Sequence, residues 1–249
     1  RKVLSEFFHF LAISNALFST TPNRKPLSLL TSMCSWRVFQ GGRRYDPLYV
    51  SAFPNLEGET LSSRIERTER ISYLSAAKLF VGYCTALECL EQLGLVHLDI
   101  RPPNLFIHTL PNGDEEGVVL DYDHIFRAHP YLNALAQKIC IKDRSYQQWG
   151  YMAPEMAYAY QSFHHQDTES SFAIPLYALG ICLAYALCEH EPFMLLSEKL
   201  STDVPLPLAN NDFEAAMHAV VRKATQPHPQ NRYQSASEMK ADLERVLEG

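Results

Sequence analysis

Apolar residues change their spacing along this chain, and the spacing divides it. Val3, Leu4, Phe7, Phe8, Phe10, Leu11, Ile13 and Leu17 recur at helical intervals, the period of one buried helix face. Thr21-Pro22-Asn23-Arg24-Lys25-Pro26 is polar and proline-punctuated, which predicts a connector. Two strand-like runs, Met33 to Gln40 and Leu48 to Phe53, flank a segment that opens Gly41-Gly42-Arg43-Arg44, a hairpin pattern. Pro54-Asn55-Leu56-Glu57-Gly58 interrupts it. Beyond about residue 60 the chain reads mainly helical. Ser72 to Leu93 is a long periodic stretch in which Leu74, Ala77, Val81, Cys84, Leu87 and Leu90 fall near one side, the side expected to face a core. Short apolar runs at Leu95–Ile107 and Val118–Asp121 are separated by a turn at Pro111-Asn112-Gly113. Further helices are predicted near Ile174–Cys188, Asn211–Thr225 and Ser235–Leu247.

A small strand-bearing front and a large helical back predict an α+β unit with two lobes, residues 1–57 and 58–249. With 249 residues, 47% of them hydrophobic and 20% charged, the chain can build its own core, which excludes a disordered or collagen-like polymer. A net charge of −6 argues against nucleic-acid binding through a broad basic face. The most apolar stretch, Phe172 to Cys188, contains Pro175 and is shorter than a membrane span needs, so no transmembrane segment is expected. The opening Arg1-Lys2-Val3 has neither an initiator Met nor a signal-peptide pattern, which suggests a start inside a longer protein. Six cysteines show no paired zinc spacing. They read as buried thiols, with one disulfide left open.

The chemistry is concentrated in three phrases: Leu95-Val96-His97-Leu98-Asp99-Ile100-Arg101-Pro102-Pro103-Asn104-Leu105-Phe106-Ile107, then Asp121-Tyr122-Asp123, then Gly150-Tyr151-Met152-Ala153-Pro154-Glu155. In this order and spacing they resemble the catalytic loop, the metal-binding Asp-Phe-Gly and the Ala-Pro-Glu of protein kinases. The resemblance covers residues 48–249. It implies a bilobal kinase-like fold with a reduced or truncated front lobe and a mainly helical back lobe. It implies Asp99 as catalytic base, Arg101 in the place of the usual catalytic-loop Lys, and Asn104 and Asp121 as metal ligands. His97 takes the family's packing position. Glu155 and Arg232 match the pair that ties the activation segment to the back helices, and a buried two-pronged ion pair is expected there.

Departures from the pattern are as informative. None of the ten glycines lies before Gly41 or forms a phosphate-cradling loop. The only lysines before residue 58 are Lys2 and Lys25, and Lys2 with Glu6 reads as an exposed helical pair. Leu98 replaces the Arg before the catalytic Asp. Asp123 replaces the third-position Gly, as a solvated turn residue or a further metal ligand. Gln148 replaces a Thr common before Tyr151, and Pro175 replaces an Asp that braces the catalytic loop. These losses point to a pseudokinase with a scaffolding or regulatory role. The intact Asp99, Asn104 and Asp121 support the alternative, an active Ser/Thr protein kinase using ATP and Mg²⁺. Either reading implies a protein partner or a protein substrate. The phrases Gly94-Leu95-Val96-His97 and Asn104-Leu105-Phe106-Ile107, with no glycine loop upstream, resemble the secreted rhoptry-type kinases and pseudokinases of coccidian parasites, especially the branch without that loop. This resemblance implies export to a parasite vacuole or cyst wall.

Overall fold

The computed structural model describes residues 32–36, 39–40, 43–44, 48–52, 55–68, 70–128, 150–156, 172–188 and 204–249, with the backbone alone for the first four strands, Asp123 and Arg127. The helix expected over residues 3–17, the connector at 21–26, the Lys2–Glu6 pair, Lys25, Cys140 and Gln148 lie outside the described residues, as does the side chain of Asp123. The chain divides into two compact units, Arg1–Glu57 and Gly58–Gly249.

In the first unit, β1 (Ser32–Trp36) pairs antiparallel with β4 (Leu48–Ala52), Cys34 opposite Val50. Between them in sequence, β2 (Phe39–Gln40) pairs with β3 (Arg43–Arg44). The hairpin pattern is therefore realised twice. Of the run expected over Met33–Gln40, residues 33–36 pair with β4 and residues 39–40 with β3.

The second unit begins with β5 (Gly58–Thr60) and α1 (Leu61–Thr68). Helix α1 carries only Leu61 and Ile65 as buried positions, four residues apart, too sparse a signal to stand out in the sequence. Its Arg64 compensates by bracing two strands. It bonds Glu59 at 2.5 Å and reaches Glu115 with both terminal nitrogens, at 2.6 and 3.3 Å. Glu115 opens β8 (Glu115–Val119), which forms a hairpin with β7 (Leu105–Thr109). The strand order is β5-β7-β8, all antiparallel. The turn between β7 and β8 is closed by Gly113 N–H to Leu110 O at 2.8 Å, with Gly113 at φ 86°, a conformation that favours glycine.

Helix α2 (Tyr73–Gln92) is the axis of the unit. Ser72 caps its start by accepting from Ser75 N–H at 3.2 Å. Ala77, Cys84, Leu87 and Leu90 are buried as expected, but Leu74 is 51% exposed and Val81 is only partly covered. The buried surface is also wider than one stripe, because Ala76, Leu79, Phe80, Tyr83 and Ala86 are covered too. The reason is that α2 is packed from several directions: by β8, by β6 (Leu95–His97), by α3 (Ala173–Leu187) and by α5 (Ala236–Glu248). Against β8 the approach is backbone to backbone. A methyl at Gly82 would sit 2.6 Å from Gly117 O, and one at Gly117 would sit 2.1 Å from Leu79 O.

Helix α3 is buried almost all round, as its uniform apolarity requires. Pro175 occupies the first turn, where a missing N–H breaks no intrahelical bond. Helix α4 (Asp212–Ala224) packs on α3 and α5. It is capped by Asn211, and α5 by Ser235. Cys84 and Cys182 are buried, Cys89 and Cys188 partly so, and burial pushes the Cys84 thiol's pKa far up. Among the described residues no helix is long and apolar enough to cross a membrane.

Candidate active site

Two short antiparallel pairings assemble the site. The β7–β8 hairpin places Leu105 opposite Val119, and Leu120 N–H donates to Asn104 O at 2.8 Å. That fixes Asn104 beside the start of the Asp121 segment. The second pairing joins β6 to β9 (Ile125–Arg127), with His97 opposite Ile125 and Leu98 N–H donating to His124 O at 3.0 Å. That fixes the loop ahead of Asp99 beside the far end of the same segment. Residues 97–104 and 120–125 are thereby held against each other.

His97 is fully buried and works on two backbones at once. Asp99 N–H donates to its Nδ1 at 3.2 Å, so Nδ1 is the bare nitrogen. The proton then sits on Nε2, which donates to Leu120 O at 3.2 Å. Burial pushes the imidazole's pKa down, opposed by the Leu120 carbonyl. The ring also packs against Tyr122, centroids 5.8 Å apart. The sequence reading of His97 as a packing residue agrees with this geometry.

The Asp99 carboxylate is 7% exposed. Its Oδ2 accepts from Asn104 Nδ2 at 2.9 Å and from Arg101 Nε at 3.2 Å. Asn104 Nδ2 also donates to the Asp99 carbonyl at 2.8 Å. With its amide nitrogen committed to Asp99, Asn104 has its side-chain oxygen left as an acceptor. No donor among the described residues reaches Asp99 Oδ1. The brace that an Asp at position 175 would provide is thus supplied from within the loop. Pro175 itself lines, with Asp99, Arg101 and Ala178, a small cavity of about 20 Å³.

Asp121 stands at φ 59° and ψ 74°, the one non-glycine residue at positive φ among those described. A non-glycine side chain in this region costs of order 1–3 kcal/mol and persists only where surrounding structure enforces it. Here the two flanking strand pairings supply the enforcement. The carboxylate is exposed and has no hydrogen-bond partner among the described residues. One carboxylate oxygen of Asp99, one of Asp121 and one ring nitrogen of His124 all lie within 4.8 Å of one another. Sequence reasoning misses His124. No spacing rule marks it, and the β6–β9 pairing sets it beside Asp99.

The second predicted constellation lies at residues 155 and 232. Arg232 Nη1 and Nη2 bond Glu155 Oε1 and Oε2, both at 2.8 Å. Its Nε donates to Gln226 O at 2.6 Å and Nη2 also to Pro227 O at 2.8 Å, and its guanidinium lies 4.7 Å over the Tyr177 ring. The pair links the Gly150–Met156 segment to helix α3 and to the turn before α5. It acts as a clamp and makes no hydrogen bond to Asp99, Asn104 or Asp121.

No protein-family model matches the chain. Among curated proteins, a probable serine/threonine-protein kinase of Clostridium perfringens is 25% identical over 216 residues, covering 84% of this chain. The serine/threonine-protein kinase PknB of Mycolicibacterium smegmatis is 27% identical over 211 residues, covering 82%. PknD of Chlamydia caviae, also a serine/threonine-protein kinase, is 25% identical over 232 residues. These similarities support the protein-kinase superfamily. The fold agrees, with a mainly helical second unit and the catalytic-loop, Asp121 and Glu155 phrases in kinase order. The chain spans 29%, 31% and 24% of the lengths of these three relatives.

Proposed function

We propose that this chain carries a metal-assisted phosphoryl-transfer site of the protein-kinase type, acting on a protein Ser or Thr hydroxyl. The observation that carries the reading is the asymmetric environment of Asp99. Two donors hold Oδ2, which fixes the carboxylate plane, while Oδ1 is left to accept a hydroxyl proton. A general base must offer a lone pair within hydrogen-bond reach of the proton it takes.

The residues fit a divalent cation and the phosphates it would bridge. Asp121 offers an exposed carboxylate without a competing partner, and Asn104 offers its side-chain oxygen. Both are hard oxygen donors of the kind Mg²⁺ prefers. When bound, such a cation would neutralise charge on the phosphates of ATP. The chain's own part is positioning. His97 and Asn104 hold the loop, Asn104 and Arg101 orient Asp99, and Arg101 adds positive charge beside the acceptor hydroxyl.

Thermal unfolding with ATP, in EDTA and then in Mg²⁺, tests this reading. Ligand at about 100 times its Kd stabilises the folded state by roughly 2.7 kcal/mol. A metal-dependent rise that is lost in Asp121→Ala is the expected result. No shift at millimolar MgATP would overturn it.

A second reading, a pseudokinase that scaffolds a protein partner, is favoured by Pro175, whose side chain offers no acceptor to the Asp99 loop. It predicts folded protein that neither binds MgATP nor transfers phosphate. Membership of the secreted rhoptry-type branch, with export to a vacuole or cyst wall, is supported by the phrases at Gly94–His97 and Asn104–Ile107. Detecting the protein in a secreted fraction would test it.

A further inference from the structure

We propose that Asp99, Asp121 and His124 form a binding site for a first-row transition dication, with His124 as its nitrogen ligand. Three observations converge. The three donor atoms lie within 4.8 Å of one another. Ligands about 2.0–2.3 Å from one ion stand roughly 3–4 Å apart, so small side-chain rotations close the set. The Nδ1 of His124 is shielded from solvent and meets no hydrogen-bond partner among the described residues. Buried polar atoms of this kind are few in folded proteins, and a role in holding an ion is among their standard explanations. Finally, the backbone of His124 is held by the Leu98 N–H bond at 3.0 Å and by the adjoining β6–β9 pairing. The imidazole is therefore attached to a fixed point of the site.

The donor set selects the ion. Mg²⁺ favours an all-oxygen shell and keeps its waters, whereas imidazole suits the transition series. One imidazole beside two carboxylates therefore fits an ion such as Zn²⁺ better than Mg²⁺, and Mn²⁺, which suits the carboxylates, serves as its paramagnetic probe. Such an ion would draw on the Asp99 carboxylate, the group that the phosphoryl-transfer reading uses as base. It would compete with the acceptor hydroxyl and act as an inhibitor. That regulatory consequence rests on the proposed function; the binding itself does not.

The test is titration of the whole chain with Mn²⁺, without nucleotide, followed by electron paramagnetic resonance, with Mg²⁺ as competitor. The expected result is bound Mn²⁺ whose spin-echo modulation shows a directly coordinated ¹⁴N that persists in the presence of Mg²⁺. Loss even of an outer-shell partner costs metal sites about 10–100-fold, so His124→Ala is expected to weaken Mn²⁺ by at least about tenfold and to abolish the nitrogen signal. Should that variant fail to fold, the nitrogen signal of the unaltered chain decides alone. Absent Mn²⁺ binding, or bound Mn²⁺ without nitrogen modulation, overturns the site. An MgATP thermal shift with no nitrogen signal removes this inference and leaves the proposed function standing. A nitrogen signal with no MgATP shift does the reverse.

Discussion

Two charged clusters in the second unit face opposite demands. At Glu155–Arg232 the guanidinium is wholly buried and all three of its nitrogens donate, to two carboxylate oxygens and two carbonyls. At Asp99–Asn104–Asp121 the hydrogen bonding stops short. Asp99 Oδ1, the exposed Asp121 carboxylate and His124 Nδ1 have no partner among the described residues. A buried structural ion pair holds because its charges are matched and closely hydrogen-bonded. A reactive site needs groups that are held in place but still free to bind. Here the holding is done by backbone: two short strand pairings and the His97 bridge fix positions, so the side chains need not be tied down.

This contrast between the clusters predicts a separation of effects. The largest is expected from Asp99→Asn, which keeps the shape but removes the carboxylate proposed as base. Phosphate transfer to a protein substrate should fall about 10²–10⁴-fold, with thermal stability nearly unchanged. A parallel loss of stability would show that Asp99 is structural after all. Next comes Arg232→Met, which leaves Glu155 buried and unpaired. Urea unfolding should show about 3–5 kcal/mol lost. A loss below about 1 kcal/mol would mean that the clamp is as dispensable as a surface pair.

A third substitution tests the scaffold that both clusters share. Gly117→Ala would drive a methyl into the Leu79 carbonyl, 2.1 Å away, and push α2 off the β7–β8 hairpin. Overpacking of this kind costs typically about 1–3 kcal/mol. Because that hairpin places Asn104 against Asp121, transfer activity should fall along with stability, unlike in Asp99→Asn.

The smallest effect concerns Glu91 on α2. Both of its oxygens accept the Ala236 N–H at the start of α5, at 2.8 and 3.0 Å. Burial nevertheless raises its pKa to about 7, against the opposing hydrogen bond from Ala236. A folded pKa above the unfolded one favours the protonated fold. Its contribution to stability is therefore full below about pH 4.5 and is lost as pH rises through about 7. Glu91→Gln should flatten that part of the stability profile, raising stability at pH 8 by about 1 kcal/mol once solvent screening of this half-buried group is allowed for. Denaturant midpoints at pH 5 and pH 8 would measure it.

Much of the site is legible in the order of residues along the chain. Motif order alone offers Asp99, Asn104, Asp121, Glu155 and Arg232 as candidates, and the fold sets Asp99 beside Asn104 and Asp121 and pairs Glu155 with Arg232. Periodicity places α2 through α5 to within a residue or two, since long helices repeat their signal many times. It fails for α1, with two buried apolar positions in eight residues, and for β5, β6 and β9 at three residues each, which are too short to show alternation. It also misplaces Leu74, because a helix packed from several sides has no single apolar stripe.

The chemistry is therefore written in the residues themselves: which side chains can act, and that they belong to a kinase-like fold. Long-range contact decides the rest. His124 joins Asp99 only through strands paired across 28 residues, from His97 to Ile125, and Arg232 meets Glu155 across a separation of 77. Local sequence encodes which residues repeat and turn. Which oxygen is tied, which is left open, and which imidazole is left without a partner depend on atoms brought together only when the chain packs.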